Sequence, residues 1–229
     1  EAALQATPKA ARQKIPLPPK FPHREPAMKK ILITGATSMI GRACVEHFDD
    51  PSNHLILLGR DLEKLKALSS TLSTKSDILA VDFSSAEEVQ TCMKDILTKH
   101  EEIDTFIYNS AIYPWELIED LSAEQWQQTL NINLSGAFYI TQALMPLFKQ
   151  QKAGNIVYLS SLAAENVGLP YMSAYTATKA GLNGLMRTCA LELAPYDVNV
   201  NAISPGKIWD TSTLSKKERV AELKWFQDA

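Results

Sequence analysis

From residue 30 onward, short runs of β-branched and aliphatic residues alternate with longer segments whose apolar positions recur at helical spacing. The runs fall at 31–34, 54–58, 78–81, 105–108, 155–159 and 198–203. Runs nearly continuous in Ile, Val and Leu leave no polar face for water, so they predict strands buried on both sides. The alternation with helical segments then predicts an α/β fold: a doubly wound parallel sheet with helices on both faces and right-handed crossovers. Such sheets bind ligands at the carboxyl ends of their strands, which makes the residues just after each run the first candidates for chemistry.

The stretch 1–27 does not share this rhythm. It holds six of the twelve prolines, and Lys9, Arg12, Lys14, Lys20 and Arg24 outnumber its acidic residues. Each proline removes a backbone donor and disfavours helix in the residue before it. The stretch therefore reads as a Pro-rich basic extension, disordered or left from expression, with a docking arm or a transit-like peptide as the alternatives. The folded domain is expected over 28–229. Within it, 130–148 carries apolar residues nearly all round a helical wheel, including Leu130, Ile132, Phe138, Ile140, Leu144, Leu147 and Phe148. One face can pack on the sheet and the rest needs another cover, so a homodimer or homotetramer is expected, with the helix carrying Leu182, Leu185, Met186 and Cys189 sharing the interface.

Composition narrows the function classes. The 229 residues are 45% hydrophobic and 21% charged, in the ordinary range for one globular domain, and the formal net charge of −3 offers no basic excess for a nucleic-acid partner. Cys44, Cys92 and Cys189 are odd in number and far apart, which fits a reducing, cytoplasmic setting and no metal motif. No apolar run reaches the roughly 18 residues of a membrane-spanning helix.

After the first strand comes Thr34-Gly35-Ala36-Thr37-Ser38-Met39-Ile40-Gly41, opening a helix whose Ile40, Val45 and Phe48 fall on one face. Small residues before a helix N-terminus let a pyrophosphate approach free amides, although Met39 stands where the strict pattern has glycine. Farther on, the strand ending in Ser160-Ser161 is followed by Tyr175-Thr176-Ala177-Thr178-Lys179, where Tyr and Lys at i, i+4 share a helix face. Asn131-Ile132-Asn133 precedes that strand, Asn109-Ser110-Ala111 follows the fourth, and Ser204-Pro205-Gly206 follows the sixth.

Together, in this order and spacing, these motifs resemble the classical short-chain dehydrogenase/reductase family over about residues 28–211, with a general similarity to 3-oxoacyl-carrier-protein reductases. The resemblance implies a Rossmann-type fold and a further helix and strand beyond the point where this chain ends. It implies roles as well: Tyr175 as proton donor or acceptor, Lys179 as the partner lowering its pKa, Ser161 as the hydroxyl orienting the carbonyl, and Asn133 as support for a proton relay. Gly35, Thr37, Ser38, Ile40 and Gly41 would cradle the cofactor's phosphates, and Asp82 and Phe83 would border its adenine. Asn109 would stabilise the central sheet beside the cofactor, with Ser110 and Ala111 also contacting it and Tyr175 and Lys179 at the nicotinamide end. Pro205, Gly206, Ile208 and Thr211 would meet the nicotinamide. Plainer readings remain for several of these: Asn109 as a strand-end cap, Asp82 as a helix cap. Ile112, where the family usually has glycine, leaves the local backbone path open.

Cofactor choice turns on Gly59-Arg60-Asp61 at the end of the second run. An acid there would take the ribose 2′-hydroxyl of NAD, whereas Arg60 can fork around a 2′-phosphate, so NADP(H) is expected over NAD(H). The alternative is a surface Arg60 paired with Asp61 or Glu63. The implied function is hydride transfer between NADP(H) and a ketone or secondary alcohol. The rival is a dinucleotide-binding regulator or inactive relative. Tyr113, Trp115, Leu162, Tyr171 and Trp209 would line the substrate side, matching an apolar or ring-bearing small molecule, or would pack on a lid formed by the charged segment 212–229.

Overall fold

The computed structural model describes residues 28–208 apart from Asn166. The expectations for 1–27, Trp209, Thr211 and the lid segment lie outside the described residues.

The chain alternates strand and helix: β1 (Lys29–Thr34), α1 (Met39–His47), β2 (Asn53–Gly59), α2 (Leu62–Ser69), β3 (Lys75–Ala80), α3 (Ala86–Lys99) and β4 (Thr105–Tyr108). It continues with α4 (Ala123–Leu130), a π-helical turn (Asn131–Ser135), α5 (Gly136–Gln151), β5 (Gly154–Leu159), α6 (Ser173–Leu193) and β6 (Val198–Ile203). The six strands form one parallel sheet in the order β3-β2-β1-β4-β5-β6. Strand order reverses between β1 and β4, and the crevice above that point is where such sheets bind ligands.

The sheet divides the core by residue parity. Ile31, Ile33, Leu55 and Leu57 point toward α1 and α2, packing with Val45, Leu65 and Leu68. Leu32, Ile56, Phe106 and Ile156 point the other way, against Val89 and Ile96 of α3, Ile140 and Leu144 of α5, and Leu182 of α6. Leu55 to Leu58 are essentially inaccessible to solvent, each contributing about 1.5–3 kcal/mol on burial, so β2 holds the centre of this half of the sheet.

Helix starts follow the capping rule. Ser38, Asp61, Ser85 and Ser122 each accept a first-turn amide through the side chain, and Ser122 with Gln125 completes a capping box. The third strand departs from expectation, running over Lys75–Ala80 and not 78–81. It is a sheet edge, most of its residues are half-buried, and edge strands tolerate the polar Lys75, Ser76 and Asp77 that broke the apolar run. The segment 130–148 is likewise helical but interrupted by the π turn. Cys44, Cys92 and Cys189 are free thiols. Among the described residues, no helix is long and apolar enough to cross a membrane.

Candidate active site

Above the β1/β4 switch point lies a cleft of about 470 Å³. Its floor is the turn after β1. Gly35 adopts φ +60°, a left-handed conformation costly for residues with a Cβ, and a Cβ there would sit 2.9 Å from Asn109 Nδ2. The chain then turns into α1, with Ser38 as N-cap accepting the Gly41 amide at 3.1 Å. Met39 is the first helical residue and partly exposed in the cleft, so the backbone needs no glycine there. Gly41 lies out of the cleft and serves packing: a Cβ would come within 2.1 Å of the Gly35 carbonyl oxygen.

Thr34 and Asn109 join the two central strands beneath this turn. The Thr34 hydroxyl accepts the amides of Asn109 at 2.9 Å and Ser110 at 3.1 Å. Asn109 Nδ2 donates to the Gly35 carbonyl at 3.0 Å and to Ser38 Oγ at 2.9 Å. Asn109 is thus more than a strand-end cap, since it fixes the glycine turn to the end of β4.

The expected cofactor residues fall into two groups. Gly35, Thr37, Ser38 and Ile40 border the cleft on the α1 side, and Asn109, Ser110, Ala111 and Phe83 on the β4 side. Arg60, exposed at the end of β2, borders its far end together with Lys64. Lys64 was not among the residues expected at the cleft. Its spacing of four from Arg60, one turn into the next helix, was the available signal. Asp82 is not at the cleft wall. Its carboxylate accepts the Ser84 amide at 2.9 Å and the Ser84 hydroxyl at 2.8 Å, which shapes the turn into α3. Pro205, Gly206 and Ile208 also lie off the wall, and the Pro205 carbonyl accepts the Leu162 amide at 3.1 Å, next to Ser161.

The catalytic candidates converge at the near end. Tyr175 and Lys179 occupy the first two turns of α6 and both face the cleft. The Ser161 hydroxyl bears on the Tyr175 phenol, drawing its pKa down against burial, and accepts the Ala163 amide at 3.2 Å. Ser160 borders the cleft, but its hydroxyl is directed at the Lys179 carbonyl at 3.4 Å, whereas Ser161, just off the wall, is the serine that bears on the phenol. Asn133 lies behind them, fully buried in the π turn, with Nδ2 donating to Thr178 Oγ1 at 3.1 Å. π turns set inside helices often mark functional sites, because the extra residue re-aims a side chain.

Electrostatics differ from expectation at one point. Burial raises the Tyr175 phenol above its usual value, with the Ser161 hydrogen bond opposing that rise. Lys179 does not hold the phenol down: its ammonium donates to the Leu159 carbonyl at 2.5 Å and sits 5.6 Å from the centre of the Tyr175 ring. Burial lowers Lys179 itself to about 8. Desolvation therefore outweighs mutual attraction in the free protein.

On the substrate side, Tyr113 packs edge-on to Tyr175 at 6.0 Å, and Trp115 stacks on Tyr171 at 5.5 Å. Leu162 is half exposed beside them.

A dinucleotide fits these residues. The left-handed Gly35 and the amide end of α1 form a phosphate cradle, and the buried Ser110 hydroxyl at the cleft has no partner among the described residues. A buried hydroxyl without a partner is costly, and a ligand hydroxyl or amide there would relieve it.

Comparison with known proteins agrees. Residues 29–221 match the family described as short chain dehydrogenase. Dehydrogenase/reductase SDR family member 7B of Xenopus laevis is 32% identical over 194 residues, covering 81% of this chain and 60% of the relative's length. A 3-oxoacyl-(acyl-carrier-protein) reductase of Thermotoga maritima is 31% identical over 197 residues, covering 85% of this chain and 80% of the relative. The crystal structure of a metagenomic short-chain oxidoreductase in complex with NADP superposes with a TM-score of 0.74 at 28% identity, over 79% of this chain and 83% of that one. A parallel sheet reversing at β1/β4, a glycine turn at that point and a Tyr-Lys pair on α6 are thus features of an oxidoreductase fold, and the chain belongs to the short-chain dehydrogenase/reductase family.

Proposed function

We propose that this protein reduces a ketone to a secondary alcohol, or catalyses the reverse oxidation, with NADP(H) as the preferred cofactor and a 3-oxoacyl thioester as candidate substrate. The observation carrying this reading is that Tyr175 and Lys179 lie together on the wall of the cleft that holds the glycine turn, with the Ser161 hydroxyl bearing on the phenol. A module that merely bound a dinucleotide would have no use for a half-buried phenol set beside a serine and a lysine.

A reduced nicotinamide held in the cleft would supply a hydride for the carbonyl carbon. Tyr175 donates its phenolic proton to the carbonyl oxygen, so the C=O π bond is replaced by new C–H and O–H bonds. Its raised pKa keeps that proton in place at neutral pH. Ser161 donates a hydrogen bond to the same oxygen, where negative charge grows as the hydride arrives. Lys179 holds positive charge against the phenolate left behind and binds the nicotinamide ribose, and Asn133 positions the start of α6 through Thr178 for a proton relay. The 2′-phosphate falls to Arg60, with Lys64 beside it, and Gly59 offers no carboxylate to repel it. Tyr113, Trp115 and Tyr171 support an apolar or ring-bearing substrate.

NADPH oxidation measured over a panel of ketones, 3-oxoacyl thioesters included, tests the reading. Turnover of at least one supports it; cofactor binding without any turnover favours the regulator. Homo-oligomerisation rests on Phe138, 43% exposed on α5, since Ile132, Ile140, Leu144 and Phe148 of the same segment are already buried within the chain. The protein is expected to run as a dimer or tetramer in light scattering at micromolar concentration, and a monomer would refute that.

A further inference from the structure

At the amino ends of the strands, opposite the cleft, three ligand-bearing side chains meet. His54 lies on β2, Asp77 on β3 and His100 at the C-cap of α3. The register pairs His54 with Lys75, so Asp77, two residues farther along, falls on the same sheet face. Asp77 Oδ2 is 2.9 Å from His54 Nε2 and 3.0 Å from His100 Nε2, and the three atoms lie within 4.8 Å of one another. His100 is only 4% exposed, and His54 and Asp77 are mostly covered. The two imidazoles meet edge-on with centres 5.2 Å apart.

We propose that His54, Asp77 and His100 form a zinc-binding site that clamps the edge strand β3 to β2 and α3. Zinc bonds to imidazole nitrogen and carboxylate oxygen are ~2.0–2.2 Å long, so tetrahedral ligands sit ~3.3 Å apart. The two observed nitrogen to oxygen separations are a few tenths of an ångström short of that, and the ion takes the place of the shared hydrogen bonds. Two nitrogens and one oxygen suit zinc over calcium or magnesium, and water fills the fourth position.

Two cations lie near the site: Lys99 donates to the other carboxylate oxygen, Asp77 Oδ1, and Lys30 on β1 is the register partner of His54. Lys99 takes Oδ1 and leaves Oδ2 directed at the two imidazoles, and a donor on the second oxygen of a ligating carboxylate is a usual outer-shell arrangement. The charge of both lysines weakens the site relative to thiolate-rich zinc centres. The site lies at the opposite end of the strands from Tyr175, so its effect is on stability of the β3 edge and not on hydride transfer.

The test is calorimetric titration of the full chain, stripped with chelator, with zinc chloride at pH 7.5, alongside thermal melts. One zinc per chain and a raised melting temperature are expected. His54→Gln, His100→Gln and Asp77→Asn should each weaken binding at least about tenfold, whereas Cys44→Ser should leave it unchanged. Asp77→Asn keeps a hydrogen-bond acceptor for both rings, so loss of zinc there separates a metal site from a hydrogen-bonded trio. Far-UV circular dichroism identifies any variant that fails to fold, and the remaining variants then decide. Absence of saturable zinc binding by the wild type, or equal binding by the folded His54, His100 and Asp77 variants, overturns the proposal.

Discussion

Asn133 grips the peptide of Ile112 from both sides: its Oδ1 accepts the Ile112 amide and its Nδ2 donates to the Ile112 carbonyl, each at 2.8 Å. The same Nδ2 reaches Thr178 on α6, so one side chain ties the loop after β4, the π turn and the catalytic helix together. Asn133→Ala would strand these groups in a buried setting. We expect a loss of about 2–4 kcal/mol in stability, read by urea unfolding, with kcat falling further than KM rises as Tyr175 and Lys179 lose their fixed position. A change below about 0.5 kcal/mol, the scale of an ordinary surface substitution, would remove Asn133 from this role.

Tyr175→Phe deletes one hydroxyl and keeps the ring, which leaves the contact with Tyr113 in place. Loss of the proton donor should lower kcat by ~10²–10⁴-fold with cofactor affinity almost unchanged, as read by fluorescence titration with NADPH. Retention of more than about a tenth of wild-type turnover, well above what loss of an acid–base group permits, would show that another group moves the proton.

The pH dependence follows from Lys179, which burial lowers to about 8. The ammonium is the form that binds the ribose and faces the phenolate, so kcat/KM for NADPH should be flat through neutral pH and fall roughly tenfold per unit above about pH 8. The stability contribution runs the other way. Between about 8 and the ordinary lysine value of 10.5 the unfolded chain holds a proton that the folded chain has released, so raising pH relieves the cost of burying this charge. Activity should therefore decline without Lys179 unfolding the protein, and a flat kcat/KM profile to pH 10 would contradict the assignment.

Arg60→Ala should weaken NADPH about tenfold or more, the size of a lost charge-assisted hydrogen bond, and leave NADH unaffected. Lys64 is exposed and 3.4 Å from Asp61, so Lys64→Ala should cost only about two- to fivefold, in line with a screened surface charge. Isothermal titration with both cofactors reads the difference. Equal or tighter binding of NADH by the wild type would overturn the preference for NADP(H).

The α/β class, the parallel sheet and the positions of Gly35, Tyr175 and Lys179 were legible in the sequence. Each rests on a local rule: β-branched runs make buried strands, a left-handed turn wants glycine, and i, i+4 side chains share a helix face. The edge strand β3 was half hidden, because Lys75, Ser76 and Asp77 obey a rule set by what lies beside a strand and not by its own residues. Other features depended on distant parts of the chain meeting. Ile112 stands outside the left-handed region that would call for glycine, and Asn133, 21 residues later, holds its amide and carbonyl. Lys64 joins Arg60 only once α2 folds back beside the cleft, and Asp82 is taken up by Ser84 in the turn toward α3. His54, Asp77 and His100 are scattered over 47 positions and meet through β2–β3 register and the end of α3. The pKa order at the active site belongs to this second class as well. Sequence supplies a phenol and an ammonium four residues apart, but only the packed structure decides that desolvation moves Tyr175 up and Lys179 down, since burial is a property of everything around them.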